Sequence, residues 1–384
     1  QAGAAHCGVK SDASREDLAL FVCPGGAAAA GVYTENLVVA APVVLDRART
    51  PADNIRVVVV NSGNANACTG DHGISAAEAM ADATALALGV DPDRVLVSST
   101  GVIGQRLPVE RILAAIPGVV ATLDAGGGAD ASEAILTTDT CAKLAVRTVD
   151  APSGTYTVGG MSKGSGMIHP DMATTLGFVT TDAAIPPALL HACLVRAVDR
   201  SFHRITVDGD TTTNDMVAVM ANGASGIDVS GNGLAAFESA LTGVLTDLAR
   251  QVVADGEGAG RLIEVRVTGA PGESDAATVA KTIAGSALVK TAVHGADANW
   301  GRIIAAAGRA GVAFDPGRAT VKICGVEVLS PGYVSEYSDD VAHARMQSDE
   351  VVLEIDLGAG RAGAIAWTCD LTAEYVRINA SYRS

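Results

Sequence analysis

Residues 56–98 read RVVVVNSGNANACTGDHGISAAEAMADATALALGVDPDRVLVS, and this stretch decides the fold class. The β-branched runs at 56–63 and 94–98 each predict a buried strand. Between them, residues 74–88 are rich in alanine, carry apolar residues at helical spacing and end at Gly89, which is typical of a helix and its C-terminal cap. A strand, a helix and a second strand in this order indicate an α/β arrangement.

The remainder of the chain continues to interleave strands and helices. We predict further strands over 31–45, 263–268, 319–329 and 350–357, helices over 107–122, 186–200 and 234–254, loops over 125–130, 222–233 and 268–275, and a helical stretch that reaches 137–141. No repeat of fixed period is detected. The pattern favours an α/β (α+β) layered sandwich in which helices cover sheets.

Composition excludes several classes of protein. The chain has 384 residues, of which 48% are apolar and only 3% aromatic, so it can bury a large aliphatic core and is neither disordered nor fibrous. At this length two or three domains are expected. The formal net charge of −16 makes nucleic acid a poor candidate partner and favours small solutes.

Cysteine and hydropathy patterns point to the cytoplasm. The seven cysteines are odd in number and never stand in C-x-x-C spacing, which argues against a disulfide scaffold or a zinc ribbon. No uncharged apolar run reaches the ~18 residues that a membrane helix needs, and the first ten residues lack the apolar region of a signal peptide. We therefore expect a cytoplasmic protein with reduced thiols.

Residues 159–182 read GGMSKGSGMIHPDMATTLGFVTTD and are unusual for either a helix or a strand. Lys163 precedes two closely spaced glycines, and a turn that contains Pro170 follows. The loop then presents Thr174 just before an apolar run. A threonine hydroxyl needs a base to act as a nucleophile, and cleavage of the preceding peptide bond supplies one, the residue's own α-amine. The alternative is a glycine-rich loop that leads into an ordinary strand.

Two further loops carry groups that acyl transfer needs. Ser99, Thr100 and Gly101 follow a predicted strand, where they could offer a hydroxyl and a backbone N–H to an oxyanion. Beyond the helix at 234–254, Glu257 lies between two glycines, where a carboxylate can engage a substrate ammonium. The alternatives are an ordinary turn and an acidic loop.

Residues 203–215, HRITVDGDTTTND, contain a motif that points to a different enzyme class. The spacing of Asp208 and Asp210 resembles the opening motif of haloacid-dehalogenase-type phosphotransferases, in which the first Asp is the nucleophile and the carboxylates hold magnesium. That motif usually opens its domain, whereas here it lies in mid-chain. A tight turn whose side chains bond local backbone is the other alternative. The sequence thus leaves a magnesium-dependent phosphatase open as a second function.

Ten collinear segments together resemble one family over essentially the whole chain. They read VYTENLVVAAPV, VNSGNANACTG, SSTGVIG, ILTTDT, GGMSKGSGM, PDMATTLGFVTTDA, TVDGDTTTND, DGEGAGRLIEV, LVKTAVHGADANWGR and CDLTAEYVRINASYRS. The chain is similar to the ornithine acetyltransferases, also called glutamate N-acetyltransferases, of arginine biosynthesis. For the fold, the resemblance implies β layers packed between helices, as in self-processing aminopeptidases.

The resemblance implies an enzyme that cleaves itself between Ala173 and Thr174. An α chain, 1–173, and a β chain, 174–384, would stay associated in an α2β2 assembly. Thr174 would then be an N-terminal nucleophile that takes the acetyl group of N-acetylornithine and passes it to glutamate by a ping-pong route. The Asp208 motif becomes structural on this interpretation.

The resemblance also assigns site residues. The family's oxyanion pair falls on Thr100 and Gly101. Its substrate contacts fall on Thr137, Lys163, Thr174, Glu257, Asn379 and Ser384. No metal or other cofactor is implied, and acetyl-CoA stays open as a second acetyl donor. The charges suit these roles, because Lys163 can offset a carboxylate or an oxyanion and Glu257 can meet an amine.

Two positions depart from the family pattern. Gly260 stands where threonine is usual, three residues after Glu257, and we expect it to loosen that loop. Ala298 stands where proline is usual, in the segment Asp297-Ala-Asn299-Trp, and removes a rigid turn. Neither departure removes a proposed catalytic group, but both bear on the choice of substrate.

Overall fold

The computed structural model describes residues 1–169 and 175–380. The chain divides into two compact units, the first formed by 1–203 with 210–252 and the second by 204–209 with 253–384. Within the described ranges, no helix combines the length and the apolar character needed to cross a bilayer.

The first unit is built on an eight-stranded mixed sheet. Its strands are β1 (Ala2–Ala5), β2 (Leu18–Tyr33), β3 (Ala52–Asn64), β4 (Val95–Val102), β5 (Lys143–Ala151), β6 (Gly154–Lys163), β7 (Leu176–Thr181) and β8 (Met216–Ala221). The strand order is β4-β3-β2-β8-β7-β6-β5, and β1 pairs with β2. Its helices are α1 (Ala41–Arg49), α2 (Asp71–Leu88), α3 (Val109–Ala121), α4 (Gly128–Ala134), α5 (Pro187–Asp199) and most of α6 (Leu234–Ala254).

The long strand β2 pairs with different neighbours along its length. Residues 18–22, and Ala27 and Ala29 beyond a register shift, pair with β3, whereas residues 28–33 pair with β8. Phe21 of β2 contacts Phe178 of β7, with ring centroids 5.0 Å apart. A hydrophobic core that includes both rings packs on one face of the sheet, and a second core packs α2 and α3 on the opposite face of β2, β3 and β4. Burial of this kind of surface, at roughly 25 cal/mol per Å², is what holds the layers together.

Strand pairing places the ends of β2, β6, β7 and β8 side by side at one edge of the sheet. Lys163, the last residue of β6, pairs with Leu176, the first residue of β7. Leu176 in turn pairs with Met216, which pairs with Tyr33 at the end of β2. Groups that precede or follow these residues therefore meet at one edge of the sheet, although they are far apart in the sequence.

The second unit is a five-stranded sheet with helices. Its strands are β9 (Leu262–Ala270), β10 (Thr320–Ile323), β11 (Val326–Leu329), β12 (Glu350–Asp356) and β13 (Ala362–Cys369), in the order β11-β10-β12-β9-β13. Its helices are α7 (Glu273–Ala284), α8 (Ala287–His294), α9 (Trp300–Gly308), α10 (Asp339–Arg345) and α11 (Ala373–Ala380). Helix α7 packs on β9 and β13 over a single aliphatic core.

The predicted layered α/β class is confirmed, but some element assignments were wrong. The strand predicted over 31–45 ends at Tyr33, and its second half is helix α1, which has a proline in its first turn and two arginines in its last. The helical stretch predicted to reach 137–141 ends with α4 at Ala134. The glycine-rich segment around 159 is strand β6.

Candidate active site

The predicted oxyanion residues lie at the end of β4, in the first unit. Thr100 and Gly101 belong to the strand itself, which continues to Val102, so the expected break into a turn at Ser99 is absent. Gly101 has φ +132°, and a Cβ there would stand 2.2 Å from the carbonyl carbon of Gly63. Only glycine fits this close approach of two parallel strand ends. The backbone that carries the Gly101 N–H is therefore held by its neighbours.

Buried amide side chains fix the same strand end. Asn214 donates from Nδ2 to the carbonyl of Ser99 at 2.8 Å and to the carbonyl of Ala65 at 2.6 Å. The Ser99 hydroxyl donates to Asn61 Oδ1 at 2.6 Å. The Ser99 carbonyl belongs to the same peptide group as the Thr100 N–H. A hydrogen bond to that carbonyl both orients the peptide and polarises its N–H.

Lys163 and Thr137, two residues assigned to substrate contact, are brought together. Lys163 ends β6, is largely buried, and donates from Nζ to Thr137 Oγ1 at 2.7 Å. Thr137 lies in the loop between α4 and β5. The pair presents a cation and a hydroxyl from two segments that are separated by 26 positions.

Asp139 organises this pair. One carboxylate oxygen, Oδ1, accepts from Lys143 Nζ at 2.7 Å and from the Gly164 N–H at 2.6 Å. The other, Oδ2, accepts from the Thr137 N–H at 3.0 Å and lies 3.8 Å from Lys163 Nζ. Asp139 thus fixes the backbone on both sides of the Lys163 to Thr137 contact.

The protonation state of Asp139 is set by its burial and by its two lysine neighbours. The side chains of Asp139 and Lys143 have no exposed surface. Burial by itself would raise the pKa of Asp139, but the ammonium groups of Lys163 and Lys143 and their hydrogen bonds hold that pKa well below its usual range. The carboxylate is therefore ionised.

The predicted nucleophile, Thr174, and the predicted cleavage site, Ala173–Thr174, lie outside the described residues. The residue that follows them, Thr175, is firmly anchored. Its hydroxyl donates to the Lys163 carbonyl and shares a 2.9 Å hydrogen bond with Ser162, while its own carbonyl accepts from the Met216 N–H at 3.0 Å.

Glu257 and Asn379, predicted substrate contacts, meet in the second unit. Asn379, on α11, donates from Nδ2 to Glu257 Oε2 at 2.8 Å, and Glu257 is buried. Gly258 has φ +70°, and a Cβ there would stand 2.5 Å from the Tyr375 nitrogen, so glycine lets α11 approach the loop closely. Ser384, the last predicted contact, lies outside the described residues.

The two departures from the family pattern are accommodated locally. The Gly260 and Arg261 N–H groups both donate to Asp370 Oδ1, at 2.7 and 2.9 Å, so the loop is held at its backbone. Around Ala298, Asn299 caps α9 by accepting from the Arg302 N–H at 3.1 Å. The loosening that we expected at Gly260 is therefore offset by Asp370.

Asp208 and Asp210, the residues of the phosphatase alternative, show no metal site. Asp208 Oδ2 accepts from the Tyr375 hydroxyl at 3.3 Å. Across residues 1–169 and 175–380, no group of three or more His, Cys, Asp or Glu side chains is placed to hold a metal ion. The magnesium-dependent phosphatase gains no support from the described residues.

Comparison with known proteins gives one consistent result. The model of the ArgJ family matches residues 1–384. The "arginine biosynthesis bifunctional protein ArgJ" of Symbiobacterium thermophilum is 52% identical over 375 residues, which cover 97% of this chain and 93% of that protein. Its namesake from Chlorobaculum tepidum is 47% identical over 382 residues, covering 99% and 94%.

A solved structure agrees with these relatives. The crystal structure of the arginine biosynthesis bifunctional protein ArgJ of Bacillus halodurans is 45% identical, with a TM-score of 0.52, and the match covers 53% of this chain and 98% of that one. The fold, the polar cluster around Lys163 and these relatives together define an acyltransferase enzyme. The chain belongs to the ArgJ family.

Proposed function

We propose that this enzyme is a glutamate N-acetyltransferase that moves the acetyl group of N2-acetylornithine to glutamate through an acetyl-Thr174 intermediate. The observation that carries the proposal is the contact between Lys163 and Thr137, which Asp139 fixes immediately upstream of the segment that leads to Thr174. Membership of the ArgJ family over the whole chain supports it. The enzyme would thereby serve arginine biosynthesis, as the names of its relatives indicate.

The first step is self-cleavage. The amide bond between Ala173 and Thr174 breaks, and water supplies the hydroxyl of the new Ala173 carboxylate and a proton of the new Thr174 amine. An α-amine has an ordinary pKa of about 8. It is the base that the Thr174 hydroxyl lacks within an intact chain. The solved B. halodurans chain is matched over 98% of its length by 53% of this chain, as expected if that chain is one of two cleavage products.

Acetyl transfer then runs in two halves. The Thr174 oxygen bonds to the acetyl carbon of N2-acetylornithine, the amide C–N bond breaks, and the proton from the hydroxyl passes through the α-amine to the departing amine of ornithine. The glutamate amine next attacks the ester, its C–O bond breaks, and a proton returns to the Thr174 oxygen. Thr100 and Gly101 would stabilise the oxyanion in both halves.

The opposite charges of Lys163 and Glu257 support different roles in substrate binding. Lys163, with Thr137, offers a positive group and a hydroxyl to the substrate's carboxylate, whereas Glu257, held by Asn379, offers a negative group to an amine. Ser384 completes the proposed contacts. The proposed assembly is α2β2, the proposed location is the cytoplasm, and acetyl-CoA is proposed as an additional donor to be tested beside N2-acetylornithine.

The test uses purified chain and two measurements. A denaturing gel of the wild type should show two fragments that separate before Thr174, and an assay should show glutamate acetylated by N2-acetylornithine. Thr174→Ala should abolish both, while Thr174→Ser should retain part of each. Thr180→Ala, which alters an exposed threonine on β7, is the matched control and should leave both unchanged. An uncleaved wild type with full activity would overturn the proposal.

A further inference from the structure

The N-terminal loop between β1 and β2 brings two cations to the proposed substrate residue Thr137. The Asp17 carboxylate shapes the loop by accepting from the N–H groups of Cys7, Gly8 and Lys10, at 2.6, 3.1 and 2.9 Å. Successive N–H groups that converge on one buried carboxylate fix the loop backbone. The loop is therefore a built part of the first unit and not a frayed terminus.

Lys10 and Arg15 project from this loop toward the segment that precedes β5. Lys10 donates from Nζ to the carbonyls of Glu16, at 2.6 Å, and Ala134, at 3.2 Å. Arg15 donates from Nη2 to the Thr137 carbonyl at 3.1 Å. One cation thus contacts Thr137 itself, and the other lies against the helix end three residues before it.

Neither cation forms a direct ion pair with a described residue. Within the described residues, no carboxylate lies within 4.0 Å of the Lys10 ammonium or the Arg15 guanidinium, and both groups bond only to backbone carbonyls. Burial, together with the positive charges of Arg15 and Lys163, lowers the pKa of Lys10 to about 8, while the carboxylates of Asp17 and Asp139 act in the opposite direction. Glu16, Asp17 and Asp139 supply negative charge at longer range. An anion can therefore bind to Arg15 and Lys10 without displacing an ion pair.

The proposed reaction requires an anion at such a place. Ornithine and glutamate share the α-amino-acid end and differ at the other end, which is an ammonium in ornithine and a carboxylate in glutamate. Among the proposed substrate residues, Glu257 suits the ammonium, and Lys163 with Thr137 suits a carboxylate that both substrates share. The second carboxylate of glutamate has no cation among those residues.

We propose that Arg15 and Lys10 form a subsite for the side-chain carboxylate of the acceptor amino acid and so select glutamate in the second half of the reaction. This inference rests on the proposed acetyl transfer. Arg15 is exposed and uses one of its five N–H groups on Thr137, so the remainder can form a paired contact with a carboxylate. The nearby Lys10 ammonium adds a second positive charge to this subsite.

The test exploits the two substrates of a ping-pong enzyme. We would measure kcat/KM for N2-acetylornithine and kcat/KM for glutamate separately in the wild type, Arg15→Gln and Arg15→Lys. Arg15→Gln should lower kcat/KM for glutamate at least tenfold and change that for N2-acetylornithine less than twofold. Arg15→Lys should recover part of the loss. A ten- to hundredfold effect is the size expected for a charged contact to substrate.

Arg111→Gln is the matched control. Arg111 is also exposed and donates to a carbonyl of the same loop, that of Gly8 at 2.7 Å, so its loss removes the same charge and one loop anchor. It should leave both constants unchanged. Equal losses for both substrates in Arg15→Gln, or an unchanged constant for glutamate, would overturn the subsite alone. A wild type that transfers no acetyl group to glutamate would overturn the proposed function together with it.

Discussion

The ammonium of Lys163 lies 2.7 Å from the hydroxyl of Thr137. The Asp139 carboxylate contacts both residues, because it accepts a hydrogen bond from the Thr137 N–H and lies 3.8 Å from Lys163 Nζ. Lys163 is the last residue of β6, and Thr137 lies in a loop before β5. The Asp139 carboxylate also pairs with Lys143, through Oδ1 at 2.7 Å. A cation that is fixed in place in this way is well suited to a carboxylate substrate.

Asp139→Asn tests this arrangement. The substitution would place an amide nitrogen against N–H groups and would remove the carboxylate that pairs with buried Lys143, so the unfolding free energy should fall by about 3–5 kcal/mol and kcat/KM at least tenfold. Thermal melting and steady-state kinetics measure the two effects. Asp247→Asn breaks an exposed pair with Arg147 and should cost less than about 1 kcal/mol without changing activity. Equal effects of the two substitutions would contradict the role given to Asp139.

Asn214→Asp tests whether Asn214 orients the peptide between Ser99 and Thr100, beside the proposed oxyanion residues. The substitution keeps the shape but replaces the donor to Ser99 and Ala65 with an acceptor, so the Thr100 peptide should lose its orientation. We expect kcat to fall about tenfold to a thousandfold, as for loss of an oxyanion donor, with a smaller change in KM. Asn222→Asp, at an exposed position, is the control. A variant that changes KM alone would show that Asn214 does not act on the proposed oxyanion residues.

Gly101→Ala should be far more damaging than Gly104→Ala. Both glycines have positive φ, +132° and +82°, but a Cβ at 101 would stand 2.2 Å from backbone carbon of Gly63, whereas a Cβ at 104 meets nothing within 4 Å. Gly104→Ala should therefore cost only backbone strain, about 1 kcal/mol. Gly101→Ala should cost several times that and also abolish turnover. Denaturant unfolding measures the first effect, and similar losses for both variants would refute the steric argument.

Glutamate use should depend on the protonation of Lys10. Burial, with the charges of Arg15 and Lys163, lowers the pKa of Lys10 to about 8, so the ammonium is present below that pH and is lost above it. The charged groups around it are Arg15, Glu16, Asp17, Asp139 and Lys163. The ratio of kcat/KM for glutamate to that for N2-acetylornithine should fall as the pH rises through about 8.

Lys10→Arg provides the comparison, because arginine keeps its charge at every pH used. The ratio in this variant should fall less than in the wild type above pH 8, since titration of Thr174 and of the substrates is common to both. If the two profiles are the same, Lys10 does not contact the acceptor.

Local patterns in the sequence were enough to predict much of the fold. The alanine-rich helix at 74–88 and the runs at 94–98 and 263–268 were predicted because the side-chain period and the flanking residues agree there. The prediction of a strand over 31–45 was wrong in its second half, because the β-branched residues of VVAAPVVL are typical of strands. A proline in the first turn and two arginines in the last turn instead favour helix α1.

The supporting residues of the site were not predictable in the same way. Asn214 donates to carbonyls that lie 115 and 149 positions away, so no local spacing marks it. Asp139 stands beside Thr137 in ILTTDT, but only the pairing of β5 with β6 brings Lys143 and Lys163 to opposite sides of its carboxylate. Candidate catalytic and substrate-binding residues were therefore predicted from motifs and from the family resemblance, whereas the residues that hold them required the fold.

Mass spectrometry of active enzyme mixed with N2-acetylornithine, and no glutamate, tests the central claim most directly. The account predicts two fragments, 1–173 and 174–384, with one acetyl group on the Thr174 oxygen of the second fragment, and its disappearance when glutamate is added. Fully active protein whose acetyl group lies on another residue, or whose chain has no new terminus at Thr174, would contradict it.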